Sequence, residues 1–103
     1  MKPLIYGYMR VTDESDDELL RTEQRLVRYA EAEGYCLGKI FHNYAPGSLN
    51  AFELLIDALQ RSGAHHVVVP SVEHFARHPA LQRGLLGTLE IKADAHVIEV
   101  GEP

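Results

Sequence analysis

Hydrophobic positions along the chain alternate between two spacings. Mostly apolar runs at residues 4–11, 35–41, 66–70 and 95–100 predict four strands, because short apolar runs bounded by turn signals are typical of buried strands. Between these runs the apolar residues recur every three or four positions, which is the spacing of one helix face. The chain is therefore expected to alternate strands with helices.

Three helices are predicted in the intervening segments. The first has an apolar stripe and ends near Gly34, with Thr12 or Asp13 expected as its N-cap. Its stripe consists of Leu19, Leu20, Leu26, Val27, Ala30 and Ala32. The second covers about residues 51–61, and the third begins at Pro79 and extends to about residue 91. The order β-α-β-α-β-α-β predicts an α/β fold in one domain, residues 1–103, with a mainly parallel four- to five-stranded sheet and helices on both faces.

Polar side chains follow three of the predicted strands. Arg10 and Thr12 end the first, a loop at residues 43–48 follows the second, and residues 71–78 follow the third. Ligands of open parallel sheets bind outside the carboxyl ends of the strands. The arginine fork binds phosphate oxygens bidentately, and a neighbouring hydroxyl could attack that phosphate. This edge is the expected functional site.

Charge restricts which partners are expected. The net charge is −5, and residues 13–18 hold five carboxylates in six positions. Since phosphate neutralisation supplies most non-specific affinity for nucleic acid, tight DNA binding by this chain alone is not expected. No apolar stretch reaches the roughly 20 residues of a membrane helix, and no signal-peptide pattern is present, so no membrane partner is expected. The single cysteine, Cys36, is expected to be a buried, inert thiol of a cytoplasmic protein.

Three motifs resemble one known family. Tyr8-Met9-Arg10-Val11-Thr12 is similar to its Tyr-Ala-Arg-Val-Ser, and Ile40-Phe41-His42-Asn43-Tyr44-Ala45-Pro46-Gly47 to its Ile-Phe-x-Asp-x-x-Ser-Gly loop. Val67-Val68-Val69-Pro70-Ser71-Val72-Glu73-His74-Phe75-Ala76-Arg77 resembles its strand followed by Leu-Asp-Arg-Leu-x-Arg. The chain thus looks like the catalytic domain of the serine recombinases, the resolvase/invertase group. In that family a serine attacks a DNA phosphodiester and forms a covalent phosphoseryl link, and arginines stabilise the transition state.

The resemblance implies a set of site residues. The catalytic positions would be Thr12, at the nucleophilic serine, with Arg10, Arg77, Glu73 and His74. Glu73 stands at the family's aspartate and His74 at its first arginine, while Asn43 and Pro46 replace the aspartate and serine of the loop. DNA phosphate would contact Arg10, Arg77, Gly47 and Ser48. No metal and no other cofactor is expected.

The departures at these positions weaken the expected chemistry. Threonine is β-branched, which stiffens χ1 and crowds in-line attack at Thr12. Glu73 is one methylene longer than aspartate, so an orienting contact would be displaced. His74 lacks the permanent charge and the fork of arginine, and losing one such donor can cost about 10²–10³ in rate. Family members also continue into a dimerising helix and a DNA-binding domain, neither of which is expected here because the sequence ends at Pro103.

Three functions from different classes remain open. The favoured one is a pseudoenzyme: a recombinase-like domain impaired in catalysis that acts as a regulatory or protein-interaction module linked to DNA recombination, with a protein partner or a homo-oligomer. A second is a weakly active DNA-cleaving enzyme that uses Thr12 as nucleophile and would form a covalent 5′-phosphoprotein link. A third is a small-anion or nucleotide-binding protein.

Simpler structural roles compete at several of these residues. Arg10 could pair with a carboxylate such as that of Glu73. Thr12 could serve as a helix N-cap and not as a nucleophile. His74 and His78 are four residues apart, a spacing that can chelate a metal, but nothing else in the sequence supports a metal site there.

Overall fold

The computed structural model describes residues 2–45 and 47–101, so Pro46, one of the loop positions in the resemblance, lies outside the described residues. Its elements alternate as the hydrophobic pattern predicts. They are β1 (Leu4–Arg10), α1 (Asp16–Ala32), β2 (Cys36–Asn43), α2 (Asn50–Ser62), β3 (His66–Val69), a 3₁₀ helix (Val72–His74), α3 (Pro79–Ala93) and β4 (His96–Glu99).

The four strands form one parallel sheet in the order β2-β1-β3-β4. The predicted α/β class with a mainly parallel sheet is confirmed, with four strands in the described part of the chain. β1 lies between β2 and β3, so its end adjoins the ends of both neighbours. Arg10 pairs in register with Asn43 at the last position of the β1–β2 ladder. This register brings two of the predicted site segments together.

Helices cover both faces of the sheet, as predicted. Alternate side chains of a strand point to opposite faces. Val67 and Val69 pack into a core with α2 and α3, whereas Val68 packs with Ile5 against Leu26 of α1. All of these side chains are fully buried or nearly so, and each such aliphatic side chain contributes about 1.5–3 kcal/mol.

One glycine of β1 permits the close approach of neighbouring elements. A Cβ added at Gly7 would lie 2.9 Å from Cγ1 of Ile40 and 3.3 Å from Cδ1 of Leu26. The residues between Ile5 and Gly7 also mark an irregularity in the β1–β2 register. Gly7 therefore lets β2 and α1 pack closely against the centre of the sheet.

The start of α1 differs from the prediction. Its N-cap is Ser15, whose Oγ accepts a hydrogen bond from the backbone N–H of Glu18 at 3.2 Å. Neither Thr12 nor Asp13 caps the helix, because the chain makes a turn over residues 12–14 before the helix begins. The predicted helix ends are confirmed: Gly34 and Gly63 follow α1 and α2 with positive φ values of 78° and 72°.

Two predictions of burial were wrong. Cys36 is exposed, because it begins β2 at the edge of the sheet. The predicted stripe of α1 is buried only in part: Leu20 is 54% exposed, and Ala32 is exposed as well. None of the helices in the described part of the chain has the length and apolar character needed to cross a membrane.

Candidate functional site

Three chain segments meet at the carboxyl ends of β1, β2 and β3. Arg10 ends β1, Asn43 ends β2, and the 3₁₀ helix Val72–His74 follows β3. The backbone N–H of Val11 donates to the carbonyl of Asn43 at 2.8 Å, which extends the β1–β2 pairing past the end of β1. The sheet edge thus positions Arg10 between the loop after β2 and the 3₁₀ helix.

Arg10 is joined to the 3₁₀ helix by two hydrogen bonds. Its backbone N–H donates to Nδ1 of His74 at 2.9 Å, and its Nη1 donates to the backbone carbonyl of Glu73 at 2.7 Å. The alternative in which Arg10 pairs with the Glu73 carboxylate is not what the structure shows: the contact is to the main chain, and the Glu73 side chain is exposed. This contact uses Nη1 of the guanidinium as its donor.

The ring of His74 is buried, with 8% of the residue exposed. Because Nδ1 accepts the Arg10 N–H, the neutral ring carries its proton on Nε2. His74 therefore orders the end of β1, a role that the family's arginine could not fill in this way.

The Thr12 side chain faces carboxylates. Its Oγ1 donates to Oε1 of Glu14 at 3.0 Å and lies 3.3 Å from Oδ1 of Asp13, while its backbone N–H donates to Oε2 of Glu14 at 2.7 Å. Glu14 therefore binds Thr12 through both the hydroxyl and the main chain. The hydroxyl is exposed, but it is already engaged by negative charge.

These contacts change the pKa of Glu14. Partial burial alone would raise it, but the hydrogen bonds donated by the Thr12 backbone and hydroxyl, together with nearby His74, outweigh burial and lower the pKa. Glu14 is consequently held in its charged form beside Thr12.

Asn43 orders the loop that follows β2. This buried side chain accepts from the backbone N–H of Ala45 at 3.2 Å and donates through Nδ2 to the carbonyl of Ser48 at 3.3 Å. It also makes a side-chain hydrogen bond with Tyr8; burial raises the pKa of that phenol in spite of this bond and of nearby Arg10. The loop is thereby fixed across the end of the sheet.

A cavity of about 560 Å³ opens between this loop and α3. All four predicted phosphate-binding residues line it: Arg10, Arg77, Gly47 and Ser48. Among its described lining residues there is no carboxylate. We call this cavity the arginine pocket.

A second cavity, of about 490 Å³, lies on the other side of Arg10 and is named here the carboxylate pocket. Glu73 and His74 line it, together with the carboxylates of Glu14 and Glu18. Thr12 lines neither pocket in the described structure. The predicted catalytic residues are thus divided: Arg10 borders both pockets, Arg77 belongs to the first, and Glu73 and His74 belong to the second.

Two residues important to this geometry were not assigned to the site from the sequence. Glu14 stood out only as part of an acidic run, and Asn43 only as a substitution in the resembling loop. The spacing of Glu14 two residues after Thr12, at the end of a strand, is a usable signal, since carboxylates at that spacing can bond back to a preceding N–H or hydroxyl.

The His74 and His78 rings do not converge on a metal. Nδ1 of His78 accepts from the backbone N–H of Ala80 at 3.2 Å and caps α3, whereas Nδ1 of His74 is bonded to Arg10. Within residues 2–45 and 47–101, no cluster of three or more histidine, cysteine or acidic residues could hold a metal ion.

Comparison with known families gives one match over nearly the whole sequence. Residues 5–102 match the sequence model of the family described as Resolvase, N terminal domain. A search of the curated proteins gives no match.

Solved structures share the fold. The C-terminal catalytic domain of ISC1926 TnpA, an IS607-like serine recombinase, superposes with a TM-score of 0.79 at 16% identity, covering 96% of this chain and 71% of that one. The N-terminal catalytic domain of TP901-1 integrase superposes with a TM-score of 0.75 at 22% identity, covering 94% of this chain and 76% of that one. A resolvase family site-specific recombinase from Streptococcus pneumoniae superposes with a TM-score of 0.72 at 22% identity, covering 96% of this chain and 72% of that one.

Proposed function

The chain belongs to the family of resolvase N-terminal domains, and from this premise we propose that it is a member impaired in DNA strand cleavage. In this proposal it serves as a regulatory or protein-interaction module linked to DNA recombination. The observation that carries the proposal is the surroundings of the Thr12 hydroxyl, which stands at the family's nucleophile position.

A phosphodiester that approached Thr12 would meet two carboxylates. Glu14 and Asp13 lie 3.0 and 3.3 Å from the Thr12 Oγ1. Two unit charges 4 Å apart repel by about 1 kcal/mol in water and about 4 kcal/mol at a protein surface. Each carboxylate therefore opposes the phosphate that the hydroxyl would have to attack, and phosphoryl transfer depends mainly on stabilising negative charge.

Glu73 and His74, the two substituted positions after β3, do not supply the positive charge that the family's arginine would provide. His74 uses Nδ1 to accept the Arg10 N–H, and the Glu73 side chain adds a carboxylate to the neighbouring pocket. The two arginines that match the family, Arg10 and Arg77, line a pocket that Thr12 does not border. Positioning and charge therefore both disfavour attack by Thr12.

A covalent-adduct assay tests the impairment. The chain is incubated with supercoiled and nicked DNA carrying recombination sites, quenched with denaturant and separated on a denaturing gel. We expect no protein–DNA adduct from the wild type or from Thr12→Ala. An adduct that forms in the wild type and disappears in Thr12→Ala would instead identify a weakly active recombinase with Thr12 as nucleophile.

The interaction role is tested by the oligomeric state and by partner capture. Light scattering during size-exclusion chromatography, over a range of concentrations, would detect a homo-oligomer, and a pull-down would detect a heterologous partner. Self-association or a saturable partner is the expected result. If the chain is monomeric at every concentration and the pull-down captures no partner, the interaction role is unsupported.

A second candidate function is the binding of a small anion. One observation favours it: Arg10, Arg77, Gly47 and Ser48 line one pocket without a carboxylate among its described residues. Millimolar sulfate or phosphate should then raise the melting temperature, and Arg77→Ala should abolish the increase. Arg83→Ala, an exposed arginine of α3 outside this pocket, is the matched control and should keep it. An increase that persists in Arg77→Ala would argue against the arginine pocket.

A further inference from the structure

The arginine pocket has an apolar side that phosphate binding does not explain. Its lining includes Leu81, Gly84 and Leu85 of α3, together with Leu49 and Phe75. Leu81 is 62% exposed and Leu49 is 47% exposed. Much of the cavity lining is therefore apolar, and part of it is exposed.

Gly84 widens this cavity at the centre of α3. A Cβ added at Gly84 would have no atom within 4 Å, apart from its own helix and chain neighbours. A helix-interior glycine costs about 1 kcal/mol relative to alanine, and here no packing contact requires its small size. The residue thus leaves room between Leu81 and Thr88 for a group that is not part of this chain.

The charged side chains that line the pocket are the positive ones of Arg10 and Arg77. No hydrogen bond or ion pair engages the Arg77 guanidinium within residues 2–45 and 47–101, and Arg10 uses only Nη1, for the Glu73 carbonyl. The carboxylates lie in the neighbouring pocket. An anionic group is therefore favoured at the arginines, with its apolar remainder directed toward α3.

We propose that the arginine pocket binds an amphipathic anion, a carboxylate or phosphate monoester joined to an aromatic or branched aliphatic group. The proposal rests on the second candidate function, anion binding at this pocket, and adds the apolar specificity. A cavity of about 560 Å³ lies within the range of roughly 300–1,000 Å³ that small-molecule sites occupy. A bare phosphate would leave the apolar walls in water, so the apolar group supplies the additional affinity.

Calorimetric titration of the purified chain with matched probes tests the ligand class. Phenylbutyrate and phenyl phosphate carry both features, inorganic phosphate and butyrate lack the ring, and phenylbutanol lacks the charge. We expect each amphipathic anion to bind about tenfold more tightly than its ring-free counterpart, and phenylbutanol to bind no better than those counterparts. The stronger of the two amphipathic anions identifies the preferred head group.

Two pairs of variants locate the binding. Gly84→Leu fills the cavity from its apolar wall and should remove the tenfold advantage of the ring, while Gly87→Leu, on the same helix but outside this pocket, should keep it. Arg77→Ala should weaken both amphipathic anions about tenfold, and Arg83→Ala should not. Both leucines replace glycines with open space around them, so thermal unfolding is expected to show that the fold is retained.

The titrations separate failure of this inference from failure of anion binding itself. If phosphate binds in an Arg77-dependent way but the ring adds nothing, the amphipathic specificity is overturned and the simpler anion function remains. If no probe binds, both are overturned. Equal binding of phenylbutanol and phenylbutyrate would also overturn the inference, because the arginines would then contribute nothing.

Discussion

Glu14 determines the chemical environment of Thr12 more directly than any other described residue. Its carboxylate bonds to the Thr12 hydroxyl and to the Thr12 backbone N–H. A carboxylate near a hydroxyl can act as a general base, but here the same charge would repel a phosphate group. The presence of a hydroxyl at the nucleophile position is therefore a poor guide to activity in this chain.

The lowered pKa of Glu14 predicts a specific pH dependence of stability. Since its pKa in the folded state lies below the ordinary value of 4.5, Glu14 stabilises the fold at higher pH and loses that contribution as the pH falls through the folded-state pKa. Glu14→Gln should lower the free energy of unfolding at pH 7 and flatten its decline below pH 4.5, as measured by urea unfolding across the acid range. Glu31→Gln, exposed on α1, is the control. If the free energy of unfolding of Glu14→Gln falls with decreasing pH as steeply as that of the wild type, the contact between Glu14 and Thr12 is contradicted.

Sequence reasoning found most of the polar residues but not their partners. Arg10, Arg77, Gly47 and Ser48 line one cavity, because strand ends in a parallel sheet share one edge; their role in binding phosphate stays a prediction. For Arg10 the sequence suggested a carboxylate partner as one alternative, whereas its side chain bonds to the backbone carbonyl of Glu73. Side-chain partners depend on sub-ångström distances between segments more than 60 residues apart, which the spacing of residues does not encode.

At the scale of elements, the alternation of apolar spacings predicted the four strands and the three α-helices of the described part of the chain. What the pattern could not give was the position of each strand in the sheet. Cys36 begins an edge strand and is exposed, while the valines of β3 are covered on both faces of the sheet. The start of α1 was also missed, because the acidic run offered several acceptable caps and only the Thr12–Glu14 turn selects Ser15.

Two glycines of α3 should be replaceable with a gain in stability. Cβ atoms added at Gly84 and Gly87 have open space, and alanine is favoured over glycine by about 1 kcal/mol in a helix interior. Gly84→Ala and Gly87→Ala should each raise the free energy of unfolding by about that amount in urea titrations. A loss of stability in either variant would show that this helix face is covered in solution.

Replacing Gly7 with alanine should lower the stability of the fold, unlike the same change at Gly84 or Gly87. An added Cβ would lie 2.9 Å from Ile40 and 3.3 Å from Leu26, so β2 and α1 would have to shift. Overpacking of this kind costs about 1–3 kcal/mol. Gly7→Ala should lower the urea midpoint accordingly, and the two α3 variants provide the matched comparison. A neutral result would mean that β2 and α1 lie farther from β1 than described.

At the scale of the whole molecule, a local positive pocket is embedded in an acidic chain. The net charge of −5 opposes the approach of duplex DNA, while Arg10 and Arg77 concentrate positive charge at one cavity. Binding of DNA and binding of a small anion are therefore expected to differ. The first depends on an extended basic surface, whereas the second needs only the pocket.

Duplex DNA should consequently bind weakly. In fluorescence anisotropy at physiological salt, we expect a dissociation constant above about 10⁻⁴ M, the weak end of non-specific binding. Lowering the salt should strengthen binding only slightly, because few phosphates would be neutralised. Low-micromolar affinity with a steep salt dependence would contradict the expectation, because it would require many phosphates to be neutralised by this acidic chain.

The relation between Thr12 and a bound phosphate can be measured directly in a crystal structure of the chain with phosphate or vanadate. We predict that the anion contacts Arg10 and Arg77 while Thr12 Oγ1 stays bonded to Glu14, outside attacking distance. Attack requires the reacting atoms to lie about 3–3.5 Å apart and in line. A Thr12 Oγ1 released from Glu14 and placed in line with the anion at that distance would contradict the proposed loss of cleavage.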